Sequence, residues 1–189
     1  MMEQEERTKR GCNLASLAGC LGRGLVLLGL FVVVIVAVRF SLYGARVNGD
    51  SMEPSLSDGQ FLLISKISYY FNPPARGDIV VIWSPGEPGL ALVKRVVGLP
   101  GEKVLMRAGQ VFINGKRLPE PYVLHGGGGD YGPVALKPGE YFILGDNRPI
   151  SSDSRQWGPI SAERIIGKAW LCLWPLSQSG RLPGVSYGE

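Results

Sequence analysis

The run Leu25-Val26-Leu27-Leu28-Gly29-Leu30-Phe31-Val32-Val33-Val34-Ile35-Val36-Ala37-Val38, closed off by Arg23 and Arg39, constrains this chain more than any other feature. Its apolar side chains fall on every face of a helix rather than on one stripe, so the segment has no polar side to turn toward water. At ~1.5 Å per residue the stretch between the arginines reaches only about 22 Å, short of the ~30 Å hydrocarbon core. Arg39 can snorkel, and Phe40, Leu42 and Tyr43 extend the apolar and interfacial character. A helix over 24–43 then spans a bilayer. Arg7, Lys9, Arg10 and Arg23 precede it, which places a tail, 1–23, in the cytoplasm and residues 44–189 on the outer face of the cell membrane. A cleavable signal peptide has a similar basic leader and short apolar run. Its best cleavage point, after Ala45, puts Tyr43 where a small residue is wanted, so a single-pass, uncleaved anchor is the better reading.

Beyond Tyr43 the pattern changes. The remaining residues suffice for a core of their own, and they fall into short β-branched segments between turn residues. Gln60 to Lys66, Asp78 to Ser84, Leu92 to Leu99, Glu140 to Gly145 and Ile165 to Leu173 read as strands. Asn114-Gly115, between apolar positions, is a strong hairpin signal; Arg107-Ala108-Gly109 suggests another turn, so Lys103 to Leu118 reads as a meander. Ile165 to Leu176 contains Lys168 and is too short for a second membrane span, which leaves a buried strand. The fold class is mainly β: an all-β catalytic domain of open or barrel-like antiparallel sheets behind one N-terminal transmembrane helix.

Function classes narrow in the same way. A net charge of +4 and no nucleic-acid motif speak against a nucleic-acid partner. Cys12, Cys20 and Cys172 have no metal-type spacing, and nothing points to a metal or a cofactor. A serine hydroxyl needs a base before it attacks a carbonyl at neutral pH. The single histidine, His125, sits beside Gly126-Gly127-Gly128-Gly129, a poor setting for a rigid base. Ser51, in Gly49-Asp50-Ser51-Met52-Glu53-Pro54, lies just past the anchor. Lys94, in Leu92-Val93-Lys94-Arg95-Val96-Val97, lies on a strand that puts Lys94 and Arg95 on opposite faces. A lysine among apolar strand residues loses affinity for its proton and can replace histidine as base.

Four stretches, taken together and in order, resemble those of bacterial type I signal peptidases, in the short single-anchor Gram-positive-like form. They are Gly49 to Leu56, Arg76 to Val81, Val93 to Glu102, and Gly145-Asp146-Asn147-Arg148-Pro149-Ile150-Ser151-Ser152-Asp153-Ser154-Arg155. The resemblance implies a membrane-bound serine endopeptidase that removes signal peptides from exported preproteins after small residues. It implies Ser51 as nucleophile, Lys94 as general base and Ser151 as the residue that orients the lysine. It also implies supporting ion pairs among Arg95, Asp146, Asp153 and Arg155. The resemblance implies the Ser51 backbone N–H as one oxyanion donor; Gly49 stands where longer members carry a serine, leaving Asn48 or a backbone group as candidates for the second. Met52 is a candidate wall of the substrate pockets. Phe40, Tyr43, Tyr69, Tyr70 and Phe71 form a candidate belt against membrane lipid, and the chain is expected to work as a monomer.

Two rival classes fit less well. Self-cleaving repressors share a serine–lysine pair, but carry a DNA-binding helix-turn-helix where this chain has an apolar run. A membrane-anchored β module without activity would commonly have lost Ser51 or Lys94.

Overall fold

The computed structural model describes residues 2–124, 126–182, 184, 185 and 187, without the side chains of 2–18, 20 and 37. His125 and the side chains of Cys12 and Cys20 therefore lie outside the described residues. The chain forms two compact units, Met1–Ser41 and Leu42–Glu189.

The first unit is one helix, α1 (Met2–Ser41). Its segment Leu21–Ser41, 21 residues of mean hydropathy 2.6 with none of its surface buried, is long and apolar enough to cross a membrane. At ~1.5 Å per residue it measures about 32 Å. The helix stops at Ser41 rather than Tyr43, because Leu42 and Tyr43 open a strand. Their backbone groups find partners across a ladder that pairs Leu42 with Ser65 and Arg46 with Phe61, which satisfies the same groups that another helical turn would have bonded.

The second unit is built on β1 (Leu42–Arg46), β2 (Phe61–Ser65), β3 (Ile79–Trp83), β4 (Ala91–Gly98), β5 (Lys103–Arg107), β6 (Gln110–Ile113), β7 (Lys116–Arg117), β8 (Tyr131–Ala135), β9 (Glu140–Leu144), β10 (Ile160–Ser161), β11 (Ile165–Trp174) and β12 (Gly180–Arg181). α2 (Ser68–Phe71) and α3 (Ser154–Trp157) are single turns. One sheet runs β1-β2-β11-β3-β4-β9-β10 with β12 on β11, and the other β7-β6-β5-β8. Every pairing is antiparallel. The mainly β, antiparallel class read from the sequence is what folds.

Local chemistry accounts for the connections. The β6–β7 turn holds Asn114 at φ 51° and Gly115 at φ 82°, the two positive values that a tight primed hairpin requires. Across the larger sheet, Leu42 pairs with Ser65, Ser65 with Lys168, Lys168 with Val80, and Val80 with Lys94. One row of ladder partners thus runs from the first residue after α1 to Lys94.

Three apolar clusters hold the unit together. Val47, Met52, Leu56, Leu62 and Ile64 pack beneath the turn that carries Ser51. Val97, Val104, Met106 and Phe142 fill the space on the side of the smaller sheet, and Val80, Ile82, Val96 and Ile143 form the third group.

Candidate active site

Ser51 sits in a turn that leaves β1 and returns to β2. The turn is closed by Val47 N–H to the Gln60 carbonyl at 2.8 Å, Gly59 N–H to the Val47 carbonyl at 2.9 Å and Leu56 N–H to the Met52 carbonyl at 2.9 Å. Met52 and Leu56, each 1% exposed, pin it to the core. Met52 is thus buried packing beneath the turn. The Ser51 carbonyl accepts from the Asn147 N–H at 3.0 Å, while its own N–H donates to no group among the described residues. The neighbouring Gly49 N–H is occupied, donating to Asp58 Oδ1 at 2.7 Å.

Lys94 reaches this turn from the middle of β4. Its Nζ lies 2.8 Å from Ser51 Oγ, and the residue is 2% exposed. Among the described residues no carboxylate lies within ion-pairing distance of it. Burial pushes the ammonium from its ordinary 10.5 down to about 8, against the pull of Asp153 and Asp146, with Arg155 adding a further push down. A buried amine with a weakened hold on its proton, in contact with a hydroxyl, is equipped to take that hydroxyl's proton.

The next residue is treated in the opposite way. Arg95, fully buried, is gripped by Asp146 through Nε–Oδ1 at 2.8 Å and Nη2–Oδ2 at 2.6 Å. It also donates to the Gly77 carbonyl at 2.9 Å and to Ser55 Oγ at 3.0 Å, and its guanidinium lies 4.1 Å from the Tyr122 ring centre. Burial works against its charge, but the hydrogen bonds and charge of Asp146 outweigh that and hold its pKa above the ordinary value. Because Asp146 and Asn147 are adjacent, this bidentate grip also fixes the peptide that donates to Ser51.

Residues 145–155 wrap around the pair. Asp153 caps α3 through the Arg155 N–H, accepts from the Gly145 N–H at 3.0 Å, and pairs with Arg155 through Nε at 2.7 Å and Nη2 at 2.8 Å. Arg155 also donates to the carbonyls of Arg148 and Ser151, at 2.8 and 3.1 Å. Gly145 has to be glycine: a Cβ there would fall 2.2 Å from Ser151 Oγ and 2.5 Å from the Ser51 carbonyl oxygen. Ser151 is therefore beside Ser51, and its buried Oγ has no partner among the described residues. The bond by which Ser151 would orient Lys94 is not formed: the Ser151 side chain lies against Gly145, and the hydroxyl in contact with Lys94 Nζ is that of Ser51.

Two parts of the cluster escaped the sequence reading. Arg148 is buried and pairs with Glu120, and Tyr122 covers Arg95. Glu120 and Tyr122 come from the segment between β7 and β8 of the smaller sheet, and only the phrase Pro119-Glu120-Pro121-Tyr122, a charge held between two prolines, hints at a fixed role. Of the aromatic belt, Phe40, Tyr43, Tyr70 and Phe71 are exposed. Tyr69 instead turns inward to donate to Asp78 at 3.1 Å. No group of three or more His, Cys, Asp or Glu among the described residues could hold a metal ion.

The family model described as "Signal peptidase, peptidase S26" matches residues 21–174. Signal peptidase I of Leptolyngbya laminosa is 41% identical over 174 residues, 87% of this chain and 85% of that protein. Signal peptidase I T of Bacillus subtilis strain 168 is 37% identical over 169 residues, 83% of this chain and 86% of that protein. Among solved structures, a signal peptidase I from Enterococcus faecalis V583 aligns with a TM-score of 0.46 at 33% identity, covering 50% of this chain and 95% of that one.

Proposed function

The chain belongs to the signal peptidase family, peptidase S26, and is a hydrolase that removes signal peptides; on that premise we propose that Ser51 is its nucleophile and Lys94 its general base. The observation that carries this reading is the 2.8 Å contact between Lys94 Nζ and Ser51 Oγ. Neutral Lys94 takes the Ser51 Oγ proton as the oxygen attacks the scissile carbonyl, forming a tetrahedral oxyanion. The Ser51 N–H, with no partner among the described residues, is available to stabilise that charge. Gly49 N–H is engaged by Asp58, which leaves Asn48 or another backbone group as the second donor. Lys94 then returns the proton to the leaving amine, and a water molecule, deprotonated by the same amine, releases the acyl group from Ser51. The buried, unpartnered Ser151 Oγ beside Ser51 supports a role in orienting Lys94 once Ser51 Oγ is bonded to substrate. The Arg95–Asp146 and Arg155–Asp153 pairs brace the two sides of the cluster.

The substrates we propose are exported preproteins cut after small residues, since shallow pockets admit a methyl group and exclude larger side chains. The apolar helix segment Leu21–Ser41 is consistent with an enzyme anchored in a membrane. The basic residues before it favour a cytoplasmic N-terminus and a catalytic unit on the outer face of the cell membrane. Exposed Tyr70 and Phe71 suit contact with lipid. The reading is tested by cutting a purified preprotein with the detergent-solubilised protein beside Ser51→Ala and Lys94→Ala. Wild type cuts after a small residue and both variants drop to background; full activity in either one removes the pair from the mechanism.

A further inference from the structure

Beyond the reacting pair, Glu120 is a buried carboxylate to which nothing in the proposed chemistry assigns a task. Its side chain is 8% exposed and pairs with the fully buried Arg148 side chain. Arg148 Nη1 donates to Glu120 Oε2 at 3.3 Å, and Arg148 Nε donates to the Gly145 carbonyl at 3.1 Å. Tyr122, two residues along, donates its hydroxyl to Glu120 Oε1 at 3.0 Å and lays its ring over Arg95. Burial, followed by the nearby charge of Glu120, pushes the Tyr122 pKa up, so the phenol keeps its proton for that bond. Tyr187 donates to the same phenol oxygen at 3.0 Å.

We infer that Glu120 is a positioning residue for the catalytic turn, acting through Arg148 and Tyr122. Its carboxylate neutralises Arg148, and Arg148 holds the carbonyl of Gly145. Gly145 begins the turn whose Asn147 N–H holds the Ser51 carbonyl. Through Tyr122 the same segment backs Arg95, the partner of Asp146 in that turn. One side chain from outside the four sequence stretches thereby secures both arginines behind the turn. Without its charge, Arg148 would be a buried cation lacking a counter-ion, and such a group pulls in water or moves. A displacement of about 1 Å at a catalytic turn can lower a rate by as much as 10²-fold.

This inference rests on Ser51 and Lys94 being the reacting pair. The test compares full-length wild type, Ser51→Ala, Glu120→Gln, Arg148→Gln and the double variant Glu120→Gln/Arg148→Gln in detergent, on one preprotein, with kcat, KM, thermal melts and pH profiles. For Glu120→Gln we expect kcat about 10-fold lower with KM unchanged. The acid limb of its profile should move to lower pH, since Asp146, Asp153 and Arg155, the charges acting on Lys94, would be joined by an uncompensated Arg148. The double variant should be impaired less than the product of its single losses. If Glu120→Gln retains wild-type kcat, or loses activity only in proportion to the unfolded fraction with the pH limb unmoved, the positioning role is wrong. Activity remaining in Ser51→Ala would overturn the reading beneath it instead. Should Glu120→Gln fail to fold, Glu120→Asp, which keeps the charge but on an arm too short to hold Arg148 and the Tyr122 hydroxyl together, should lower kcat by a smaller factor at unchanged KM with the acid limb in place; wild-type kcat there would equally refute the inference.

Discussion

Lys94 and Arg95 are neighbours on one strand, both long cations and both buried, yet the protein handles them in opposite ways. Arg95 faces Asp146, Ser55, the Gly77 carbonyl and the Tyr122 ring, so its charge is welcome. Lys94 faces a serine hydroxyl and lacks a carboxylate at contact distance among the described residues, so its charge is resisted. Burial alone does not determine whether a basic group remains charged; what lies within ~4 Å of it does. One side of β4 is built for permanence and the other for proton exchange.

The most severe way to break this contrast is to make both sides alike. Lys94→Arg keeps a long cation but supplies a group that does not deprotonate in proteins. Preprotein cleavage by this variant should fall by ~10³-fold or more, and cleavage near the wild-type rate would show that Lys94 is not the base. Next come the methionine replacements, read by denaturant unfolding at pH 7. Arg95→Met strands a buried Asp146 and should destabilise the catalytic unit by about 3–5 kcal/mol. Lys94→Met removes a cation that burial already opposes and should stabilise the unit by up to about 3 kcal/mol, at the expense of activity. Two losses of similar size would mean that the two faces do not differ.

The pH dependence sharpens the comparison further. With Lys94 near 8, kcat/KM should climb about tenfold per pH unit below that value and level off above it. Stability carries the same signature. Between about 8 and 10.5 the native protein binds fewer protons at Lys94 than the unfolded chain does, so stability rises with pH across that window. Lys94→Met should lose this slope and Arg95→Met should keep it. The smallest effect belongs to Gly128→Ala. Gly128 has φ +96°, and a Cβ there would lie 1.8 Å from Arg155 Nη1, so the arginine must shift away from Asp153. A loss of about 1–2 kcal/mol is expected, with activity lowered a few-fold; an unchanged melting temperature would show that the loop yields instead.

The strands with clean β-branched content were legible in the sequence, and two turns with paired positive φ could be located from Asn114-Gly115 and Ala108-Gly109. β1 was not, because Leu42 and Tyr43 continue the apolar character of α1; only a partner strand distinguishes the two states. β8 was hidden by Gly132-Pro133 at its centre. It is tolerated at the edge of the smaller sheet, where a missing N–H leaves no neighbour unsatisfied. In the site, resemblance brought out residues clustered in four stretches. Glu120 and Tyr122 were not visible, since their importance comes from contacts 28 and 27 positions away in sequence, with Arg148 and Arg95. Local pattern does not encode such contacts.

The row of ladder partners from Leu42 to Lys94 has a mechanical consequence. Four strand spacings of ~4.8 Å put the two ends at most about 19 Å apart along the row. No loop lies in that path, and hydrogen-bonded ladders do not stretch. The first residue of β1 and the amine are joined by a rigid gauge rather than a leash, so the distance between Leu42 and Lys94 within the catalytic unit is a property of sheet register. A one-residue slip between β2 and β11 would reset it.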